Sequence, residues 1–438
     1  MKQEKFDVAI IGSGIAGMTA AAMLANGGYR VLVVERLPML GGRCADVEYK
    51  GYKLPTGVLW VSDDYHGRIC REVGAEFEIR VPEPQYYYRM GGKDHPMPEK
   101  GGLRAMVGLA SQDESEAARV MNALRRGITW QEPSDAISLQ EWLNQFTQNP
   151  KVLGVFQVLT TMSAGITNDE LPAGEYIRYI KNMANIRRYG FVPGGSVNII
   201  RALARVVTGK GGQVRTRTRA LRILLEGGVA KGVVVRQPDG EVQVSAQAVL
   251  SNVGPKKTVE LAGRENFDIG YLKHLGITLK SAPQILIFVT SDRPLCEYPG
   301  ILFLTESRRV LAIFNKGILN PELSPPGKYL LEAGAFFTNS APPYDLKKEL
   351  ELAVQDLREN LPGFDEHGEI LMAGCYHGEW PIMRSWAGYN IPQKTPIENL
   401  YNVGDGVSPP GWWGSPGAME SARIVVEDVT RRFKPGAA

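Results

Sequence analysis

Apolar residues in this chain gather into short unbroken runs separated by glycine-rich turns, the pattern expected of buried strands alternating with helices. Val8 to Ile11 is such a run, too short for a helix, and it leads straight into Gly12-Ser13-Gly14-Ile15-Ala16-Gly17. Met18 to Ala25 supplies helix formers, Asn26-Gly27-Gly28 stops them, and Tyr29 to Val34 predicts a second strand. Further on, Ile199 to Val207 carries the periodicity of a helix, and Ala220 to Leu225 and Lys231 to Val235 that of strands. Ala248-Val249-Leu250-Ser251-Asn252 follows as another apolar run. Near the end, Leu400 to Val403 predicts a short buried strand, and Pro416 to Ala422 opens a helix with proline in its first turn, where the missing amide costs nothing. Tyr86-Tyr87-Tyr88 predicts a strand in which alternate rings share a face.

The first of these units has a chemical meaning. In the G-x-G-x-x-G spacing, Gly12 permits the sharp turn, Gly14 lets backbone approach a pyrophosphate, and Gly17 lets the helix pack closely on the strand. The helix N-terminus, with Ser13 and Ala16 beside it, then faces the phosphates with free amides and a positive dipole end. Glu35 stands about 20 residues after the glycines, where a carboxylate accepts ribose hydroxyls. Strand, glycines, helix, strand and acid in register predict a dinucleotide site. Arg36 and then Gly41-Gly42-Arg43 can wrap amides and a guanidinium around the diphosphate.

Composition narrows the class. With 438 residues, 44% of them hydrophobic, 49 glycines and 28 prolines, a loop-rich two-domain α/β enzyme is expected. The net charge of +3 gives no reason to expect nucleic acid. Nine arginines and two lysines fall between Tyr176 and Arg222 without an acidic residue, which reads either as a solvated face or as peripheral contact with anionic lipid or substrate. Asp7, spaced glycines and a second strand are foreign to a secretory leader, and no stretch has the length of a membrane span, so a cytoplasmic protein is expected. Cys44, Cys70, Cys296 and Cys375 are scattered, which predicts free thiols and no metal site.

Glu35-Arg36-x3-Leu40-Gly41-Gly42-Arg43 after the glycine turn resembles the FAD-binding superfamily of flavin amine oxidases, phytoene desaturases and carotenoid isomerases. The order Pro193-x-Gly-Gly, helix, Gly211-Gly212, strand, Gly232-Val-Val-Val, Ala248-Val-Leu-Ser-Asn-x-Gly-Pro is similar to the centre of phytoene-desaturase-like proteins. The resemblance covers 1–60, 189–256 and 395–438. It implies a GR2-type Rossmann-like FAD-binding domain from 1–80, 189–265 and 395–438, with a mixed α+β substrate-binding cap from 81–188 and 266–394. It also implies that FAD is held non-covalently, with backbone at Ala220 on the adenine and Gly404 and Asp405 near the ribityl or phosphate region. The helix start at Pro416, Gly417 and Ala418 would face the flavin pyrimidine ring, where its dipole favours charge on the reduced form.

What the resemblance implies for chemistry is dehydrogenation of an apolar alicyclic or polyene substrate, by hydride transfer to flavin N5. Amine oxidation and carotenoid-type isomerisation are the alternatives, and Trp413 next to Trp412 would suit an aromatic cage. A lipid carrier of the same fold would have degraded motifs, whereas Glu35, Arg43, Gly404 and Asp405 are all present. No second G-x-G-x-x-G follows a strand, so electrons would pass to oxygen, a quinone or another diffusing acceptor. Trp380, Trp386 and Tyr389 are candidate pocket rings, and Tyr376 and His377 are the candidate bases.

Overall fold

The computed structural model describes residues 2–57 and 60–436. Its centre is a five-stranded, all-parallel sheet in the order Gln213–Arg215, Val31–Val34, Val8–Ile11, Ala248–Ser251, Leu400–Asn402. The middle three strands are buried at every residue, as unbroken apolar runs require when both faces are covered. Val8, Ile10, Val31 and Val33 meet the helices Ile15–Asn26, Val197–Gly209 and Gly414–Arg432. Ala9, Ile11, Leu32 and Val34 face the other way, against a four-stranded sheet. That second sheet runs Lys2–Lys5, Gly240–Ser245, Val229–Gln237, Arg219–Glu226. Its first strand, KQEK, has no apolar pattern, and parallel pairing with Gly240–Ser245 is what makes it a strand.

Asp7 ties the two ends of the chain together. Its carboxylate accepts the amides of Arg30 at 2.7 Å and Gly436 at 3.1 Å, and the Gln247 side chain at 3.1 Å.

A seven-stranded sheet forms the other half of the molecule, in the order Gly368–Tyr376, Gln284–Ser291, Tyr329–Ala335, Val310–Phe314, Ile301–Leu304, Tyr86–Met90, Lys93–Pro96. Within it Ile301–Leu304 and Tyr86–Met90 are parallel and the other neighbours antiparallel. The period-2 alternation is clear in Gln284–Ser291. Leu286 and Phe288 join Tyr88, Phe303 and Phe314 against a group of helices that includes Pro150–Ala164 and Ala173–Met183. Ile285, Ile287 and Val289 pack on the opposite side with the helix Leu346–Asn360. The strands of the parallel sheet all fall within 1–80, 189–265 and 395–438, and those of the seven-stranded sheet within 81–188 and 266–394.

The basic stretch lies on several elements. It spreads over the helices Ala173–Met183 and Val197–Gly209 and the strands Gln213–Arg215 and Arg219–Glu226. Many of its charges meet acids from elsewhere in the chain: Arg178 pairs with Glu132, Asp135 and Glu175, Arg188 with Asp63, and Arg215 with Glu4. Among the described residues no helix is long and apolar enough to cross a membrane.

Candidate active site

A cavity of about 1640 Å³ runs from the carboxyl ends of the parallel strands to the aromatic face of the seven-stranded sheet. Ligands in open parallel sheets settle at those strand ends, because the turns there are free of the sheet and the helices that follow point their amides inward. A site for one ligand is usually ~300–1,000 Å³, so this cavity has room for a large cofactor and a substrate together.

Backbone turns build its floor. Gly12 has φ +96°, a conformation that side-chain-bearing residues rarely adopt. A Cβ on Gly14 would lie 2.5 Å from Asn252 Oδ1, and one on Gly17 only 2.3 Å from the Gly12 carbonyl oxygen. Gly14 lines the cavity and Gly17 does not, so Gly17 serves helix packing. Ser13 and Ala16 line the wall beside them. Glu35, 7% exposed, accepts the Ser13 amide at 3.1 Å and hydroxyl at 2.8 Å on one oxygen, and the Leu37 amide at 2.9 Å on the other. This fixes the carboxylate between the ends of the first two strands, with Arg36 next to it in the wall. Gly41 and Gly42, at φ +109° and +56°, return the chain to the glycine turn, where the Gly41 amide donates to Ser13 Oγ at 3.1 Å.

Arg43 does not stand free. Its guanidinium forks onto Asp405, with N–O distances of 2.5 and 2.7 Å, and donates to the Ile382 carbonyl at 2.7 Å. Asp405 also accepts the Arg384 amide at 2.8 Å. Burial raises the Asp405 carboxyl, but Arg43 and Arg384 outweigh it and hold the group below the usual carboxylate range. The Arg384 side chain is a residue that sequence reading passed over. Burial, with Arg43 and Arg36 nearby, pushes its guanidinium down to about 10, and among the described residues it makes no hydrogen bond or ion pair. A half-buried cation amid like charges calls for an anion. Asn252 was also missed as a site residue: its Nδ2 donates to the Val403 carbonyl at 2.9 Å, while its buried Oδ1 has no partner and faces the glycine turn.

Gly404 and Asp405 follow the last strand and line the cavity, as do Ala220, Pro416 and Ala418. The final helix begins at Gly414, so Pro416 is within its first turn. Gly417 is buried behind the wall, where a Cβ would lie 2.6 Å from the Trp412 carbonyl oxygen.

The cap end is walled by rings. Tyr86 stacks on Phe303 at 5.7 Å, Trp60 lies against Tyr189 at 4.9 Å, and Trp413 is parallel to Tyr179 at 3.8 Å. Trp413 Nε1 donates to Glu175 at 2.9 Å, which fixes the ring. Tyr86 and Tyr88 face the cavity, whereas Tyr87 turns to the far side of the sheet and stacks on Tyr298 at 3.9 Å. Gln284 also lines this end, 3% exposed, its amide unpartnered among the described residues. The other expected rings divide. Trp380 lines the cavity, Trp412 packs on Tyr65, and Trp386 is in the core with Nε1 on the Ser281 carbonyl.

Tyr376 and His377 are a correction. Gly368–Tyr376 is the edge strand of its sheet, and the cavity wall from this segment starts only at Gly378. His377 is exposed and meets Tyr344 edge-on, outside the cavity. Burial and then the Glu332 carboxylate push the Tyr376 phenol up to about 12, the wrong direction for a base at neutral pH.

A family profile described as flavin containing amine oxidoreductase matches residues 15–430. The chain belongs to that family. Its members are oxidoreductases, and the cofactor here is FAD. An oxidoreductase from Methanosarcina mazei of known structure is 27% identical, with a TM-score of 0.86 over 96% of this chain and all of its own. An uncharacterized protein of Methanocaldococcus jannaschii is 26% identical over 91% of this chain and 93% of its own length. A phytoene dehydrogenase of Streptomyces griseus is 24% identical over 97% of this chain and 95% of its length. The residues present fit the cofactor: a glycine cradle that any Cβ would fill, an orphaned Asn252 oxygen and an unpaired Arg384 cation all border the same space.

Proposed function

We propose that this protein dehydrogenates an apolar alicyclic or polyene molecule, with FAD along the floor of the cavity and the substrate among the rings. The observation that carries this reading is the lining of the cap end. The carboxylates along the cavity walls are exposed, as for Glu83, Glu99, Glu260 and Glu379, or already paired, as for Glu35 and Asp405. An amine cation would find rings but no free buried carboxylate, whereas a hydrocarbon framework gains from every ring it covers. The phytoene dehydrogenase relative is by name an enzyme of such a molecule.

In this reading the amides of the Gly12–Gly17 turn hold the diphosphate, with Arg384 and Arg36 supplying positive charge. Glu35 keeps its oxygens placed for ribose hydroxyls, and the backbone at Ala220 borders the adenine. Gly41, Gly42 and Arg43 close over the dinucleotide, and Arg43 keeps Asp405 ionised beside Gly404. Pro416, Gly417 and Ala418 begin the helix whose positive end faces the flavin ring. Bound FAD supplies the acceptor, at N5, for a hydrogen leaving carbon with its electron pair. Trp413, fixed by Glu175, and the Tyr86 ring hold the substrate in place and keep water out.

The purified protein should carry the visible bands of oxidised flavin and release FAD on acid or heat treatment. Anaerobic addition of polyenes should bleach those bands, and cyclic ketones and primary amines should bleach them far more slowly. Bleaching by amines alone would overturn the substrate reading, and a colourless protein that takes up no FAD would overturn the whole.

A further inference from the structure

We infer that His66 is a positioning residue that acts through Ser415, directing the Ser415 hydroxyl hydrogen at the flavin ring. This rests on the reading of the cavity as an FAD site with the Gly414–Arg432 helix facing that ring.

The hydrogen-bond pattern leaves one assignment. His66 sits on a single wide turn of π type, Asp63–Gly67, a feature often found at functional sites. Its Nδ1 lies 3.1 Å from the Ser62 backbone nitrogen, and an amide N–H can only donate. Nδ1 is therefore the bare nitrogen. The neutral ring then carries its hydrogen on Nε2, which donates to Ser415 Oγ at 2.8 Å. Ser415 oxygen accepts that bond, so its own hydrogen must go elsewhere, and among the described residues no other group accepts it. Both side chains border the cavity, although His66 is only 1% exposed. Burial pushes the imidazole down to about 4, so the ring is neutral at neutral pH, and the Ser62 amide decides which nitrogen is bare.

The turn is fastened to the helix it serves. Tyr65 donates to Glu420 at 2.8 Å on the same helix, and the Tyr65 amide donates to Ser62 Oγ at 3.3 Å. Ser415 is in the first turn, where Gly414 and Ser415 have amides without helical partners and Pro416 has none to offer. The hydroxyl adds a neutral, preoriented donor at the place where reduction puts negative charge on the ring system.

The test is the midpoint potential of bound FAD, in anaerobic titrations of the FAD-loaded wild type, Ser415→Ala, His66→Asn, His66→Gln and Ser415→Ala/His66→Asn. Ser415→Ala should weaken retention of reduced relative to oxidised FAD about tenfold, a fall of about 30 mV for a two-electron couple. His66→Asn should give the same fall, His66→Gln, which keeps an N–H at the distal position, should restore most of it, and the double variant should match Ser415→Ala alone. An unchanged potential in Ser415→Ala, or a further fall on adding His66→Asn, would overturn the inference. Ser415→Ala removes only one hydroxyl from the cavity wall, so that arm reads out even if the His66 variants do not fold. A wild type that holds no FAD would remove the reading of the site as well, a distinct result.

Discussion

The floor and the cap end of the cavity are held by opposite means. On the floor several polar side chains are fixed by hydrogen bonds: Glu35 by Ser13 and Leu37, Asp405 by Arg43 and the Arg384 amide, Asn252 by Val403. At the cap end the wall is stacked rings, and its polar atoms are sparse. Tyr88 keeps a buried hydroxyl without a partner, and the Gln284 amide faces the cavity unpaired. Fixed donors and acceptors select one ligand in one pose, whereas rings fix a shape and an absence of water. The difference teaches that cofactor identity is written into this protein more tightly than substrate identity.

Breaking the floor should have the largest effect. Gly17→Val would drive a branched side chain into the Gly12 carbonyl oxygen, which has no room to yield. The expected result is protein that elutes from gel filtration without flavin absorbance. Asp405→Ala would remove the carboxylate that Arg43 grips and that Arg384 faces, leaving the two cations to repel each other. Loss of one partner of such a pair costs about 3–5 kcal/mol, measurable by urea unfolding of the FAD-free protein. The wild-type Asp405 contribution should be full above about pH 4 and decline only below it, because the folded value lies under the unfolded one.

Acid sharpens the comparison where floor and final helix meet. His66 has an ordinary value of 6.5 and a folded value of about 4, so the unfolded chain binds the extra proton between these limits. Its share of stability is complete above pH 6.5 and falls by about 3 kcal/mol as the pH drops to 4. His66→Gln should flatten that part of the Tm-against-pH curve. The smallest effect belongs to the cap. Trp413→Leu should raise KM for a polyene about tenfold, or about 1.4 kcal/mol, with flavin absorbance unchanged. Equal losses of flavin and turnover would mean that the two ends are not separable.

The same contrast explains what was legible in the sequence. The glycine turn and Glu35 are read from spacing, because local backbone geometry dictates residue types at fixed intervals, whereas the role of Gly404 and Asp405 came only from the family resemblance. Tyr86 and Tyr88 on one face followed from period 2 alone. His66 and Ser415, 349 positions apart, meet only once the chain is folded back, so no interval marks them. Arg384 carries no motif, and its meaning comes from Arg43 and Arg36 arriving nearby. Tyr376 and His377 misled because nearness in sequence to Trp380 was taken as nearness to the cavity. The strand ends at Tyr376, and the wall begins in the turn that follows, at Gly378. Acidic partners of the basic stretch, such as Glu132, Asp63 and Glu4, are remote in sequence, so no local pattern shows these pairings.

The parallel sheet takes one edge strand, Leu400–Asn402, and one covering helix, Gly414–Arg432, from residues that follow the whole seven-stranded sheet in the chain. That helix packs on Ile15–Asn26, which precedes every strand of the seven-stranded sheet in the chain. The early glycine turn therefore waits, with one flank of its sheet uncovered, while the whole cap is made. Nascent chains arrested before residue 400 should hold no flavin, however long they are given. Cofactor loading thus waits on segments made after the cap, and only chains that have folded those segments back onto the glycine turn can pass.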